Sequence, residues 1–362
     1  MAPPLAGTGR PSCAALLLLL LLLCAGRAHA ADPCPALAAQ TAAPDPATRV
    51  AALACAESLA WYRPFIDRDG RLAPGPVYEA ENTALAGGEP AWRKVAGYWQ
   101  GSGLLERMAN YPGAQECGWA LAGSSVAPAC RAFVVDHPWS AAFVSWVMVQ
   151  ARLPGFRGSA SHIDYVRDAW RRPQQSAYLP ADPFSTPPAA GDLLCHVRLK
   201  GQVLGYQGLA RIAAGRAGLP MHCDVVVAAN AGGDSTAWLV GGNVQQGVTL
   251  RILPLNRNGL FWGLPQRAAV DGECGPDHPA ECNLDRQDWA VLLKLKPAAQ
   301  LAQLPLDGLV PAGEATPDVE QGAAPAPAAP QCCVNCVVGS GVPRCPAAQP
   351  APGTVPVPVQ QQ

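Results

Sequence analysis

Apolar residues fall along this chain in three rhythms. The first is helical. Ala47 to Trp61 (ATRVAALACAESLAW) repeats its apolar positions at helical spacing, which predicts a helix with one face on a core. Trp92, Val95 and Trp99 would share one face of a second short helix opened by Glu89-Pro90-Ala91, and aromatics so spaced are expected to be core. Another helix is expected from Ile163 to Trp170, led in by the polar and aromatic run Ser159 to Tyr165. The second rhythm is unbroken: Ala141 to Ala151 has no Pro or Gly and is apolar nearly all round, as a helix buried on most sides would be. Pro138 and Trp139 precede it, Ser140 is read as its N-cap, and Pro154 stops it.

The third rhythm belongs to strands. Gly191-Asp192 turns the chain into Leu193-Leu194-Cys195, and Met221 to Val227 predicts a second strand. Trp238 to Val240 predicts a third, ending in Gly241-Gly242-Asn243, and Val248 to Leu253 a fourth. Side chains alternate faces along a strand, so His222, Asp224 and Val226 share one face while Cys223 and Val225 share the other. Were strands 193–199 and 221–229 neighbours, Cys195 and Cys223 would face each other and could bridge.

The ends have a different composition. Ala14 to Leu23 is a leucine-rich run behind Arg10 and ahead of Ala28-His29-Ala30, the three parts of a secretory signal. The run is shorter than the roughly 20 apolar residues that span a bilayer, and no later segment is long and apolar enough, so the mature chain is expected to carry no span. From about Pro297 onward alanine, proline and glutamine dominate, and that tail is expected to be disordered. The expected organisation is therefore a signal over 1–30, a helical and loop region over 31–128, a core domain over 129–296 and a tail over 297–362. About 265 residues between signal and tail suit one large domain or two small ones.

Cysteine and charge narrow the setting. The chain has 14 cysteines in 362 residues. Twelve remain after the signal, a generous even number that favours disulfides and an exported location, periplasmic or extracellular. Local bridges are expected for Cys117 with Cys130 and for Cys274 with Cys282. Cys332, Cys333, Cys336 and Cys345 fit a small disulfide knot better than a metal site, with a tether to another chain as a third option. A formal net charge of −1 supplies no basic field for nucleic acid.

At the helix that starts with Pro138-Trp139-Ser140-Ala141-Ala142-Phe143, followed by Gly191-Asp192, a strand opening with His222, and Gly241-Gly242-Asn243-Val244, the sequence resembles the papain-like cell-wall amidase and peptidase superfamily, the NlpC and CHAP groups. It looks closest to the bacterial domain of unknown function 2272, over about residues 90 to 290. The resemblance implies an α+β fold: a buried helix over about 140–152 packed on an antiparallel sheet built from residues 192 to 254, with a helical N-terminal region alongside. It also implies a nucleophile at position 140, a base at His222 and an orienting residue at Asn243. Position 140 is serine where the superfamily has cysteine. An alcohol is not ionised by a helix dipole, so a serine needs an oriented base and an oxyanion hole.

The expected function is thus an exported hydrolase of amide or peptide bonds acting on cell-wall peptidoglycan or a peptide-like substrate, with Ser140, His222 and Asn243 catalytic. Trp139, His162, Tyr165 and Asp224 are expected to contact substrate, and no cofactor or metal is implied. The alternative from another class is a binding module for a wall fragment or a partner protein that kept the cleft and lost the chemistry.

Overall fold

The computed structural model describes residues 31–306, except 124–126 and Trp262. The expected signal at 1–30 and the tail cysteines lie outside the described residues.

Helices come first along the chain. They are α1 (Cys34–Leu37), α2 (Pro46–Ala60), α3 (Ala91–Gly101), α4 (Ala114–Leu121), α5 (Ala127–Asp136), α6 (Ser140–Gln150) and α7 (His162–Arg171). Strands β1 (Phe65–Ile66) and β2 (Leu72–Ala73) interrupt them. The second half holds β3 (Tyr178–Ala181), β4 (Leu193–Val197), α8 (Gly205–Ala214), β5 (Met221–Ala229), β6 (Thr236–Val244), β7 (Gly247–Pro254), β8 (Asp288–Leu295) and α9 (Ala298–Leu301). The fold is a mixed α+β one.

Local chemistry sets the helix ends. Asp45 caps α2, its carboxylate accepting from the Thr48 backbone N–H at 2.9 Å, and Pro46 occupies the first turn, where its missing N–H costs nothing. The buried helix α6 ends at Ala151, and Arg152 leaves it with φ of 50° ahead of Pro154. Arg49 of α2 donates to the Ala151 carbonyl at 3.1 Å, satisfying one of the free acceptors at that end.

One eight-stranded sheet runs in the order β2-β1-β7-β6-β5-β4-β8-β3. Its neighbours pair antiparallel except β1 with β7, which are parallel. The sheet is wider than the span 192–254 predicts. The additional strands are two-residue pieces at one edge and β3 and β8 at the other. β8 lies between β4 and β3, so a strand distant in sequence covers the flank that local pattern leaves open.

Two apolar cores lie on opposite faces. Cys195, Cys223, Val225 and Val240 join the large core with α6, whose Ala142, Phe143 and Val147 are fully buried. Leu194, Val226, Leu239 and Leu253 form a second core with Phe261, Trp289 and Leu292. Helix α6 packs on β5 and β6. Ordered packing continues past Pro297, where the tail is expected to begin: Leu301 of α9 is buried, and Pro305 accepts from Gly155 N–H at 2.9 Å.

Four disulfides close the described chain: Cys34–Cys55, Cys117–Cys130, Cys195–Cys223 and Cys274–Cys282. Cys117 and Cys130 sit within α4 and α5 rather than flanking a simple loop. Four bridges mark a chain that matures in an oxidising compartment outside the cytoplasm. Among the described residues, no single helix is long and apolar enough to cross a membrane.

Candidate active site

Ser140 is the first residue of α6, with Trp139 at the N-cap position and Phe143 N–H returning to the Trp139 carbonyl at 2.8 Å. The expectation that Ser140 caps the helix fails, because its hydroxyl is engaged elsewhere. Its Oγ lies 2.7 Å from Nε2 of His162. His162 opens α7, and Tyr165, one turn later, brings its hydroxyl onto Nδ1 of the same ring. Ser145, five residues beyond Ser140 on the same helix, ties the loop that leads into α7 to α6. Its Oγ donates to the Ser159 carbonyl at 3.0 Å and accepts from the Ser159 N–H at 3.1 Å. That pair of hydrogen bonds from serine to loop fixes where α7 begins, and so where His162 meets Ser140.

Burial sets the charge states. It lowers the His162 pKa well below the ordinary 6.5, and the neighbouring charge at His222 pushes the same way. The imidazole is therefore neutral, with one ring nitrogen donating and the other accepting. In the tautomer that accepts the Ser140 proton at Nε2, Nδ1–H donates to the Tyr165 oxygen. Burial also keeps the Tyr165 phenol protonated by raising its pKa well above 10.0.

His222 is placed differently. Its Nε2–H donates to Asp224 Oδ1 at 2.7 Å, and Asp224 Oδ2 accepts from Arg251 Nε at 2.9 Å. Arg251 continues to Asp285 Oδ1 at 2.5 Å and to the Leu284 carbonyl at 2.9 Å. Burial alone would raise the Asp224 carboxyl, but the charges of His222 and Arg251 outweigh it and hold the group well below the carboxylate range. Arg251 likewise stays charged, because Asp224 and Asp285 outweigh its desolvation.

The expected chain from Ser140 to His222 to Asn243 is therefore not formed by hydrogen bonds among the described residues. The reason is strand alternation. Helix α6 packs on the Cys223 and Val225 face, whereas His222 and Asp224 belong to the other face. His222 meets the Ser140 pair only through the His162 ring, centroid to centroid at 5.4 Å.

Asn243, with φ of 56°, also serves a different neighbour. With its amide oriented to satisfy both sides, its oxygen accepts from the Trp139 N–H at 3.0 Å and its nitrogen donates to Glu79 Oε2 at 3.1 Å. Glu79 Oε2 accepts the Trp139 indole N–H at 2.7 Å. Burial raises the Glu79 pKa against that stabilising donation. Asn243 and Glu79 thus hold the turn into Ser140 rather than an imidazole.

Two expected substrate contacts are closed off. Trp139 is 0% exposed and stacks on Trp61 and Tyr98. Asp224 is 1% exposed, and both its oxygens are taken by His222 and Arg251. His162 and Tyr165 are in the site, but as the partners that hold Ser140.

Gly241 and Gly242 sit at a close approach. A Cβ on Gly241 would come within 1.9 Å of Asp224 Oδ1, and one on Gly242 within 2.4 Å of Phe143. Only glycine fits at either position.

Sequence reasoning passed over His196, Glu79, Arg251 and Asp285. His196 pairs with His222 across β4 and β5, their rings 5.3 Å apart. The Cys195–Cys223 bridge held that signal, because in an antiparallel pair the residue after one cysteine lies opposite the residue before the other. A charged residue inside the apolar strand 248–253 was the signal for Arg251. Glu79 and Asp285 lie in loops and had no pattern. Among the described residues, no group of three or more His, Cys, Asp or Glu is arranged to hold a metal ion.

A family model described as an uncharacterised protein conserved in bacteria, domain of unknown function 2272, matches residues 87–295, more than half of the chain. No curated protein and no solved structure matches it.

Proposed function

For a chain that belongs to the bacterial family of the domain of unknown function 2272, we propose a role as an exported hydrolase of amide or peptide bonds, acting on cell-wall peptidoglycan or a peptide-like substrate. Ser140 is the nucleophile and His162 the base. The carrying observation is the 2.7 Å contact between a hydroxyl at the start of a buried helix and an imidazole that burial keeps neutral. The papain-like relationship belongs to this proposal: its nucleophile stands at the same place, the first turn of a helix packed on a sheet.

Ser140 Oγ attacks the substrate carbonyl as its proton passes to His162 Nε2. The N–H groups of Ser140, Ala141 and Ala142 have no acceptor within the helix, and the positive end of the helix dipole lies with them. They favour the oxyanion of the tetrahedral intermediate. His162 then returns the proton to the leaving amine, and water repeats the sequence on the acyl-serine. Tyr165 holds the ring orientation, and the ionised Asp224 favours the transient imidazolium through His222.

Ser140 is 6% exposed and His162 4% exposed, so substrate entry requires the cover over the site to shift. That closure and the serine at position 140 favour a second reading, a binding module with a papain-like relic cleft. Turnover of peptidoglycan and muropeptides by the purified mature chain separates the two. Loss of wild-type turnover in both Ser140→Ala and His162→Gln supports the hydrolase. An inert wild type with a gain of activity in Ser140→Cys overturns it in favour of the binding module.

A further inference from the structure

The turn between β6 and β7 is made of residues that its geometry disfavours. Val244 pairs with Gly247, so the loop is the two residues Gln245 and Gln246, with φ of 52° and 63°. A two-residue hairpin turn with both φ positive is ordinarily filled by asparagine and glycine, because a longer side chain in the left-handed region strains its backbone. The connection at the other end of β6 follows that rule: its positive-φ positions are Asn230, Gly232, Gly233 and Ser235. At the β6–β7 tip the chain carries two glutamines instead, at a cost in stability.

The tip stands at the start of α6. The Gln246 carbonyl accepts from the Glu79 N–H at 2.8 Å, and the Glu79 carboxylate accepts the Trp139 indole N–H at 2.7 Å. Asn243, two residues before the tip, accepts from the Trp139 backbone N–H at 3.0 Å. A Cβ on Gly247 would meet the Trp61 ring at 3.4 Å, and that ring stacks on Trp139. Trp139 precedes Ser140. These contacts therefore put the tip at the end of α6 toward which the free N–H groups of its first turn point. Gln245 and Gln246 are exposed, and Tyr78, the neighbour of Glu79, is 41% exposed. Among the described residues neither side-chain amide nor the Tyr78 hydroxyl forms a hydrogen bond.

We infer that Gln245, Gln246 and Tyr78 form a lip that holds the peptide backbone of the substrate beside Ser140. This rests on the hydrolase reading for what then happens to the bound peptide. Costly backbone conformations gather where ligands are clamped. A side-chain amide both donates and accepts, which matches a peptide group and asks for no charge on the ligand. The tip lies two to three residues beyond Asn243, about 7–10 Å at roughly 3.3 Å per residue. The lip thus meets the peptide two or three residues from the attacked carbonyl.

The test reads binding, so that it can fail separately from catalysis. The mature Ser140→Ala chain is titrated with soluble muropeptides, alone and with second changes at the tip. Gln245→Gly with Gln246→Gly relieves the backbone and removes both amides. It should hold or raise the melting temperature and weaken binding about tenfold. Gln245→Asn with Gln246→Asn also suits the turn but keeps the amides, and should recover part of the lost affinity. Tyr78→Ala should weaken binding several-fold. Equal binding with and without the two glycine changes, or no binding by either chain, overturns the lip. So does a lower melting temperature with those changes, because the glutamines would then serve the fold. Turnover is scored separately in chains that keep Ser140. Tip-dependent binding without turnover keeps the lip and sinks the hydrolase, whereas turnover untouched by the two glycine changes keeps the hydrolase and sinks the lip.

Discussion

His162 and His222 sit ring against ring at equal depth, yet they are held in opposite ways. His162 has a hydroxyl on each nitrogen, Ser140 on one side and Tyr165 on the other. His222 donates to a carboxylate that an arginine and a second carboxylate brace in turn. Hydroxyls can donate or accept, so the first ring is free to take up and return a proton. A carboxylate only accepts, so the second ring is a fixed donor. The difference teaches that a histidine's partners, more than its burial, decide between exchanging a proton and holding a structure.

The largest effect expected from this contrast is on turnover. His162→Gln should lower kcat/KM by about 10²–10⁴-fold with a melting temperature within a few degrees of wild type, while His222→Gln should retain most turnover. The opposite split would exchange the roles of the two rings. Next in size is Asp224→Ala, which leaves Arg251 buried beside an emptied partner site and should destabilise by about 3–5 kcal/mol in chemical denaturation. A loss under about 1 kcal/mol would show that the network is not holding the fold. Replacing both Cys195 and Cys223 by alanine should cost about 2–4 kcal/mol by the same measurement, while turnover per folded molecule stays near wild type.

Acid should act through the same groups. Burial leads both His162 and His196 to pKa values well below 6.5, with the His222 charge adding to the shift. The unfolded chain therefore binds more protons than the folded one below pH 6.5, and stability falls as pH falls, by up to about 1.4 kcal/mol per pH unit for each ring. Asp224 has its folded pKa depressed from 3.8, so its contribution is present above that value and is lost as pH drops below it. A melting temperature unchanged between pH 7 and 5 would contradict the histidine part, and the Asp224→Asn chain should show a shallower loss below pH 4. The smallest effect is expected from Tyr165→Phe, about 1 kcal/mol of stability and a several-fold loss of kcat from a loosened His162.

Much of the frame was legible in the sequence because it rests on local pattern. The apolar run 141–151 and the strand at 221–227 follow from spacing and alternation, and the Cys195–Cys223 pairing follows only once strands 193–199 and 221–229 are neighbours, which they are. Ser140 and His162 were each visible as candidates, but their union was not. It depends on Ser145 anchoring the loop at Ser159, a contact between α6 and the lead-in to α7 that no periodicity encodes. The alternation that put His222 and Asp224 on one face was sound. What sequence could not supply was which face α6 would cover, and that choice separates Ser140 from His222. Strand β8 escaped detection as a member of the sheet because it arrives after a long irregular segment and inserts between β4 and β3.

The two glycines of β6 leave the sheet one backbone thick where it divides its two faces. On one side stands the Asp224 carboxylate, and on the other Phe143 in the first turn of α6. Side chains would ordinarily insulate such neighbours. Here the Gly241 carbon meets the Asp224 carboxylate and the Gly242 carbon meets the Phe143 ring, so one strand's backbone spaces the carboxylate from the helix that carries Ser140. Peptide dimensions set that spacing, so the start of the helix keeps a fixed height above the carboxylate. A single methyl at Gly241 would strike the carboxylate, and one at Gly242 the Phe143 ring, so either would have to push the two layers apart.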